Sequence, residues 1–264
     1  MKEFAKLFAV CSALFMAGCA SGPNVASAAR AELVSTGQLR VGLIFSNQVL
    51  VTKNLQTGEL KGVAVALGKT LAKQIGVPFQ PILYANPASL VKSFGGNEWD
   101  IAFLAVDPAR AQAVDFSPPY MVVDNTYLVP RGSILQKTDG ADQPGIRIAV
   151  PERSAPDLFL SRSLKTATII RVPGGAEAAL EVLRSGRADA YAENAHMLSL
   201  YSEQLPGSRL LDGRYTVIQH AIATPRGHVT ATQYVRQFIE KAKTDGTIRD
   251  AIAGARLQRV AAAP

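Results

Sequence analysis

From residue 39 onward, short contiguous apolar runs alternate with longer stretches in which apolar residues recur every three or four positions. The first pattern belongs to strands buried on both faces, the second to helices that cover them. Residues 39–45 read as a strand. Residues 60–75 place Val63, Ala66, Leu67, Thr70, Leu71 and Ile75 on one helical face, with Gly76 positioned to stop the helix. A strand over 78–84, a short helix over 88–94 ended by Gly95 and Gly96, and a strand over 101–106 follow. Asp107 then offers a helix cap, with Pro108 at the first helical position, where its missing N–H costs nothing.

The same grammar restarts after the polar, glycine-containing stretch 132–145. Strands are expected over 147–150, 168–172 and 188–192, and helices over 157–164, 177–183 and 195–205. A strand over 216–223 and helices over 231–242 and 247–253 close the chain, with Tyr234, Val235, Phe238 and Ile239 facing inward. Two α/β units with a late return of the chain predict two lobes, each a mainly parallel sheet flanked by helices, and a cleft between them. Ligands of such sheets sit in that place.

The start of the chain reads differently. Lys2 and Lys6 precede an almost wholly apolar stretch over 7–17, the layout of a secretory signal and too short to span a bilayer. Met16-Ala17-Gly18-Cys19 resembles a lipobox, in which small residues precede a cysteine that becomes lipidated. Ala26-Ser27-Ala28 offers the small-x-small alternative of ordinary signal peptidase. That site lies about ten residues past the apolar stretch, long for the enzyme, which favours Cys19. This reading makes 1–18 a signal peptide and 19–32 a small, polar tether, with a periplasmic protein lipid-anchored through Cys19; cleavage near Ala28 would leave it soluble in the periplasm.

Composition narrows the chemistry. A chain of 264 residues with 48% hydrophobic and 19% charged residues is neither disordered nor polytopic. The net charge of +7 serves solubility and attraction to anionic ligands, and no nucleic-acid motif accompanies it. Cys11 and Cys19 both lie in the leader, so the body is expected to have no disulfide, thiol chemistry or cysteine-bound metal. His196, His220 and His228 are not spaced as zinc pairs, and neither metal nor cofactor is expected.

Several motifs converge on a family. Leu39-Arg40-Val41-Gly42, Thr57-Gly58-Glu59-Leu60-Lys61-Gly62 and Trp99-Asp100-Ile101-Ala102 resemble the first lobe of bacterial family 3 solute-binding proteins, the amino-acid receptors of ABC importers. Arg110 followed by Val114-Asp115-Phe116-Ser117-Pro118-Pro119-Tyr120, Gly186-Arg187-Ala188-Asp189-Ala190 and Thr244-Asp245-Gly246-Thr247 extend the likeness over about 37–253. The resemblance implies the two-lobed type II periplasmic binding protein fold, with lobe one at 33–125 plus 220–264 and lobe two at 126–219. Crossing strands near 126–129 and 221–223 would form a two-strand hinge. It also implies a monomer that hands a small solute to an ABC permease in the inner membrane.

A zwitterion in a dry cleft needs a partner for each charge. By the resemblance, Arg110 is the carboxylate partner, its planar fork always protonated. Ser154 and the N–H of Ala155, at a helix start, would complete the clamp; a simple N-cap at Ser154 is the competing reading. The departures from the family pattern carry weight. Ala105 and Phe103 stand where hydroxyl residues usually precede the arginine, so only main-chain groups remain there. Asn194 stands where a carboxylate usually meets the α-ammonium, and Glu193 beside it is expected on the opposite strand face. Arg153 replaces the usual glycine before the serine, and Phe45 is the candidate for an aromatic usually found near Asn47. These features predict a carboxylate-bearing solute, with its amine open: an amino acid, an amino-acid derivative or an organic acid. Two rivals stand beside an importer receptor. One is a cyclohexadienyl dehydratase-like periplasmic enzyme using Glu152, Asp124 or Glu193 as an acid. The other is a solute sensor without an importer.

Overall fold

The computed structural model describes residues 25–264. After α1 (Val25–Leu33) the chain forms β1 (Leu39–Ile44), the hairpin β2 (Thr52–Lys53) and β3 (Leu60–Lys61), α2 (Val63–Ile75), β4 (Phe79–Tyr84), α3 (Pro87–Lys92), β5 (Ile101–Ala105) and β6 (Val114–Phe116). The strand β7 (Met121–Val129) leads into β8 (Arg147–Pro151), α4 (Ala155–Ser163), β9 (Thr168–Val172), α5 (Ala176–Arg184), β10 (Ala190–Asn194), α6 (Ala195–Glu203) and β11 (Arg209–Leu210). Then β12 (Thr216–Pro225) returns, and α7 (Val229–Thr244), α8 (Thr247–Ala255) and β13 (Val260–Ala262) close the chain.

The strands run in the order β4-β1-β5-β12-β7-β10-β8-β9. On one side β4, β1 and β5 are parallel with β12 antiparallel to β5; on the other β9, β8 and β10 are parallel with β7 antiparallel to β10. The helices bury their apolar faces on these two halves separately. Leu67 and Leu71 of α2 and Phe238 and Ile239 of α7 pack with Val41 and Leu43. Leu180 and Leu183 of α5 pack with Met197 and Leu198 of α6 and with Ala149. Each such fully buried Leu stabilises its half by about 1.5–3 kcal/mol.

The two halves use one device to fix their strands. Asp100, just before β5, accepts the N–H of Arg40 at 2.7 Å and its guanidinium at 2.7 Å. Asp189, just before β10, accepts the N–H of Arg147 at 2.8 Å and its guanidinium at 2.8 Å. A carboxylate that binds both main chain and fork sets the register of neighbouring strands. The Trp99-Asp100 and Ala188-Asp189 motifs are therefore structural. In the Phe116–Tyr120 stretch, Ser117 Oγ accepts the N–H of Ile222 at 3.1 Å and ties the entrance of β7 to β12.

Some expectations are corrected. The signal peptide, Cys19 and residues 19–24 of the tether lie outside the described residues. The rest of that tether is helical: Ala29 and Leu33 are fully buried on one face of α1, and Glu32 accepts the N–H of Ala231 in α7 at 2.8 Å. Residues 60 and 61 belong to the hairpin, and Gly62 turns the chain into α2, which starts only at Val63. Gly62 is what permits this, since its φ is 123° and a Cβ there would stand 2.5 Å from the Leu50 carbonyl oxygen. Asp107 does accept the N–H of Ala109 at 2.8 Å, but only a single 3₁₀ turn, Arg110–Gln112, follows. Of the strands expected to form the hinge, β7 and β12 pair antiparallel with each other over 121–125 and 216–220. Thr126–Leu128 are already in register with β10, and Ala221–Ala223 with β5.

Candidate ligand-binding cleft

Strand register assembles the floor of a cleft. Ala105 pairs directly with His220, Thr216 with Asn125, and Asn125 with Asn194. Directly opposed residues share a face of the sheet, as do residues two apart on one strand. Ala105, His220, Ile218, Asn125 and Asn194 therefore lie in a row across β5, β12, β7 and β10, and all five line a cavity of about 40 Å³. Ile44, Ser46 and Asn47 wall it on one side and Pro151, Ser154, Ala155 and Gly175 on the other. The wall residues Ile44 and Pro151 end their strands, as do Ala105 and Asn194 in the floor. The cavity thus sits at the carboxyl ends of both parallel sets, where open α/β sheets hold ligands.

Arg110 enters this cavity and is 5% exposed. Its Nη1 donates to the carbonyl of Ala105 at 2.9 Å and its Nη2 to the carbonyl of Arg153 at 2.8 Å. Its Nε has no partner among the described residues. Burial lowers its pKa to about 10, with the Asp107 charge acting in the opposite sense. Ser154 is buried and its Oγ accepts the N–H of Asp157 at 3.2 Å, so its hydroxyl caps α4. Ala155 presents the open first turn of that helix to the cavity.

Asn194 lines the cavity, but both ends of its amide are engaged: Oδ1 accepts the N–H of Met197 at 2.9 Å, and Nδ2 donates to Glu193 Oε1 at 3.0 Å. Glu193 lines the cavity too, contrary to the alternation expected of a strand. The strand ends at Asn194, and the carboxylate of Glu193 folds forward to accept the N–H of Asn194 at 2.8 Å. Burial raises its pKa to about 7, and the two hydrogen bonds from Asn194 only partly counter that.

Three expected residues sit elsewhere. Phe45 is 42% exposed, because the alternation that turns Ile44 and Ser46 inward turns it out. Phe103 shares the face of Ala105 but lies deeper along β5, where it packs edge-on against Tyr120 with centroids 5.7 Å apart. Arg153 contributes its carbonyl to Arg110 while its side chain stands exposed outside this cavity. Asp124 pairs with Arg214 and Arg259, and Glu152 is exposed. Glu193, His220, Asn125, Ser46 and Asn47 were not singled out as binding residues from the sequence; only strand pairing brings them together. Among the described residues no group of three metal-ligating side chains is gathered, and no helix is long and apolar enough to cross a membrane.

Residues 43–253 match the bacterial extracellular solute-binding proteins, family 3. The ABC transporter glutamine-binding protein GlnH of Bacillus subtilis (strain 168) is 21% identical over 252 residues, covering 91% of this chain and 90% of that protein. The L-cysteine solute receptor of Neisseria gonorrhoeae superposes with a TM-score of 0.74 at 21% identity, over 89% of this chain and 99% of that one. The ancestral amino acid-binding protein AncCDT-1, described as a precursor of cyclohexadienyl dehydratase, superposes with a TM-score of 0.71 at 24% identity, over 85% and 97%. The mixed sheet with flanking helices is thus the type II periplasmic binding protein fold, and the chain belongs to the family 3 bacterial extracellular solute-binding proteins.

Proposed function

We propose that the chain is the receptor of an ABC importer and captures an amino acid by closure of its two lobes. The observation that carries this reading is the pair of opposite charges lining one cavity, Arg110 from the first lobe and Glu193 from the second. Arg110 meets the carboxylate through Nε and its remaining N–H groups, helped by the first turn of α4. Glu193 meets the α-ammonium from the position before the usual one, since Asn194 is committed to capping α6. This narrows the open amine of the sequence reading to an amino acid. The names of the similar glutamine and cysteine receptors point the same way.

A cavity of about 40 Å³ holds a few water molecules, not an amino acid, so the lobes part to admit the ligand. Closure follows because only the closed form joins both sets of contacts. The closed monomer then presents a surface formed by both lobes to the permease. Export by residues 1–18 and anchoring through Cys19 place it outside the cytoplasmic membrane; palmitate labelling that persists in Cys19→Ser would remove the anchor from this account.

Calorimetry with the twenty standard L-amino acids tests the reading. One or more should bind with micromolar or tighter affinity, and Arg110→Ala should abolish binding, since losing a desolvated charge-assisted pair costs about 2–5 kcal/mol. Affinity unchanged in that variant would remove Arg110 from the site. The dehydratase alternative has one observation in its favour, the Glu193 carboxyl able to hold a proton near neutral pH. Turnover of prephenate or arogenate, lost in Glu193→Gln, would put that activity in place of the receptor.

A further inference from the structure

Two hydrogen-bonding atoms on the cleft floor are left without partners by the fold. Asn125 is 1% exposed; its Nδ2 donates to the carbonyl of Val123 at 2.9 Å, and its Oδ1 has no partner among the described residues. His220 is 7% exposed, and its Nδ1 has none either. Buried polar atoms without partners are few in folded proteins, and each calls for a reason. Here the two lie on adjacent strands, on the same sheet face, with Ile218 between them, and all three line the cavity.

The ionic state of His220 makes it an acceptor. It lines the cavity beside Arg110, and burial together with that positive charge pushes its pKa down to about 3. The imidazole is therefore neutral at physiological pH, and a neutral ring always has one nitrogen with a free lone pair. In the tautomer this proposal takes, with the hydrogen on Nε2, the buried Nδ1 accepts, as Asn125 Oδ1 does by its nature once Nδ2 is engaged.

We propose that Asn125 and His220 read the side chain of the bound amino acid and select one that is uncharged and carries an N–H or O–H donor, a carboxamide or a hydroxyl. This rests on the amino-acid reading above. Arg110 and Glu193 supply the two charges lining the cavity, and the backbone of a zwitterion uses both. A basic side chain finds no further carboxylate among the lining residues and lies near the Arg110 charge. An acidic one finds no further cation and faces two acceptors. An apolar one desolvates both acceptors without replacing their water, the situation in which a polar site rejects an isostere most strongly. No Phe, Tyr or Trp ring among the described residues lines the cavity, which removes a cation–π route for lysine or arginine. Because both residues stand on the crossing strands, the side chain is read at the hinge, where the floor stays in place while the lobes swing.

The test is calorimetry on the whole mature protein with isosteric pairs: L-threonine against L-valine, L-glutamine against L-methionine, L-asparagine against L-leucine, with L-lysine and L-glutamate added. In at least one pair the donor-bearing member should bind about tenfold or more tightly than its isostere, and neither charged amino acid should be the tightest ligand. His220→Leu should reduce that preference at least several-fold while sparing the apolar member, and His220→Gln, which keeps an acceptor, should retain it. If circular dichroism shows His220→Leu unfolded, the wild-type pairs decide alone. Equal affinities within every pair, or lysine or glutamate as best ligand, overturn the selection rule and leave the receptor standing. Binding of no amino acid overturns both.

Discussion

The guanidinium of Arg110 donates to the main-chain carbonyl of Arg153, 2.8 Å away on the opposite lobe. Its other terminal nitrogen rests on the carbonyl of Ala105. A group that is always charged is thus held in near-complete burial by neutral acceptors, with Asp107 acting on it only at longer range. Neutral carbonyls offset part of the desolvation cost; a ligand carboxylate at the free Nε offsets more. On the proposed reading, the cleft holds this charge ready for an anion at a cost to the protein's own stability.

That cost is measurable. A fall from the ordinary 12.5 to about 10 corresponds to about 3 kcal/mol of penalty on the charged form at neutral pH. Arg110→Met keeps the volume and removes the charge. It should abolish binding of any carboxylate ligand and raise the ligand-free melting temperature by several degrees, at about 2–4 °C per kcal/mol for a chain of this size. The sign follows from linkage. A base whose folded pKa is lowered regains stability as pH rises from about 10 to its unfolded value, so the advantage of the variant should persist at all lower pH. Differential scanning calorimetry at pH 7 checks it, and a lowered melting temperature contradicts the account.

Glu193 supplies a pH dependence of opposite consequence for binding. Its folded pKa lies above its ordinary 4.5, at about 7, so its contribution to ligand-free stability is full below about 4.5 and fades as pH climbs through 7. Capture of an ammonium needs the ionised carboxylate. Affinity should therefore fall up to about tenfold for each pH unit below 7, and level off above it. Arg110 and His220, displaced to about 10 and about 3, do not titrate in that window. Calorimetry between pH 5 and 8 should show this slope in the wild type and a flat, weakened profile in Glu193→Gln.

Much of this fold was legible in the sequence, and the reasons for the gaps are physical. Periodicity located the main strands and helices of both lobes to within a few residues, because central strands such as β5 are buried along their whole length and the helices bury one face. It missed β13, whose three residues have no pattern of their own and are fixed by pairing with β7. The family resemblance, not periodicity, placed Phe45 and Phe103 at the site, as the candidate for an aromatic and as the position of a usual hydroxyl residue, yet alternation turns one outward and depth along β5 removes the other. The acceptors of the floor could not be read at all. His220 meets Ala105, and Asn125 meets Asn194, only through pairings across about 115 and 69 residues of chain, which no local pattern encodes. Glu193 was assigned to the wrong face because strand alternation ceases at the residue that caps α6.

The lobes are also joined by Arg162 of α4, whose Nη2 stands 2.9 Å from Asp107 Oδ2. The aspartate is 4% exposed and the arginine 52%, so the pair is half in water and its worth is modest. Because it spans the cleft, on the closure proposed above whatever it contributes goes to the closed form alone. Arg162→Ala should weaken ligand affinity by about twofold to fivefold, in line with 0.4–1 kcal/mol, without altering which ligand is preferred. Small-angle scattering should show a larger ligand-free radius of gyration. A change in ligand preference instead would mean that Arg162 touches the solute.

Arg153 separates a main-chain role from a side-chain one. It holds a φ of 56°, in the left-handed region, and its N–H donates to Asp157 Oδ2 at 2.8 Å. A residue with a Cβ pays about 1–2 kcal/mol for that conformation, and glycine does not, although glycine loses more freedom on folding. Arg153→Gly should therefore leave stability unchanged or raise it by up to about 1 kcal/mol, a gain of at most about 4 °C in melting temperature. Ligand affinity should stay within about threefold of the wild type, because the contact with Arg110 is made by the carbonyl, which the substitution keeps. Thermal melting and calorimetry on this single variant decide the point: a loss of tenfold or more in affinity at unchanged stability would assign the ligand contact to the guanidinium of Arg153, reaching into the cleft from outside the cavity.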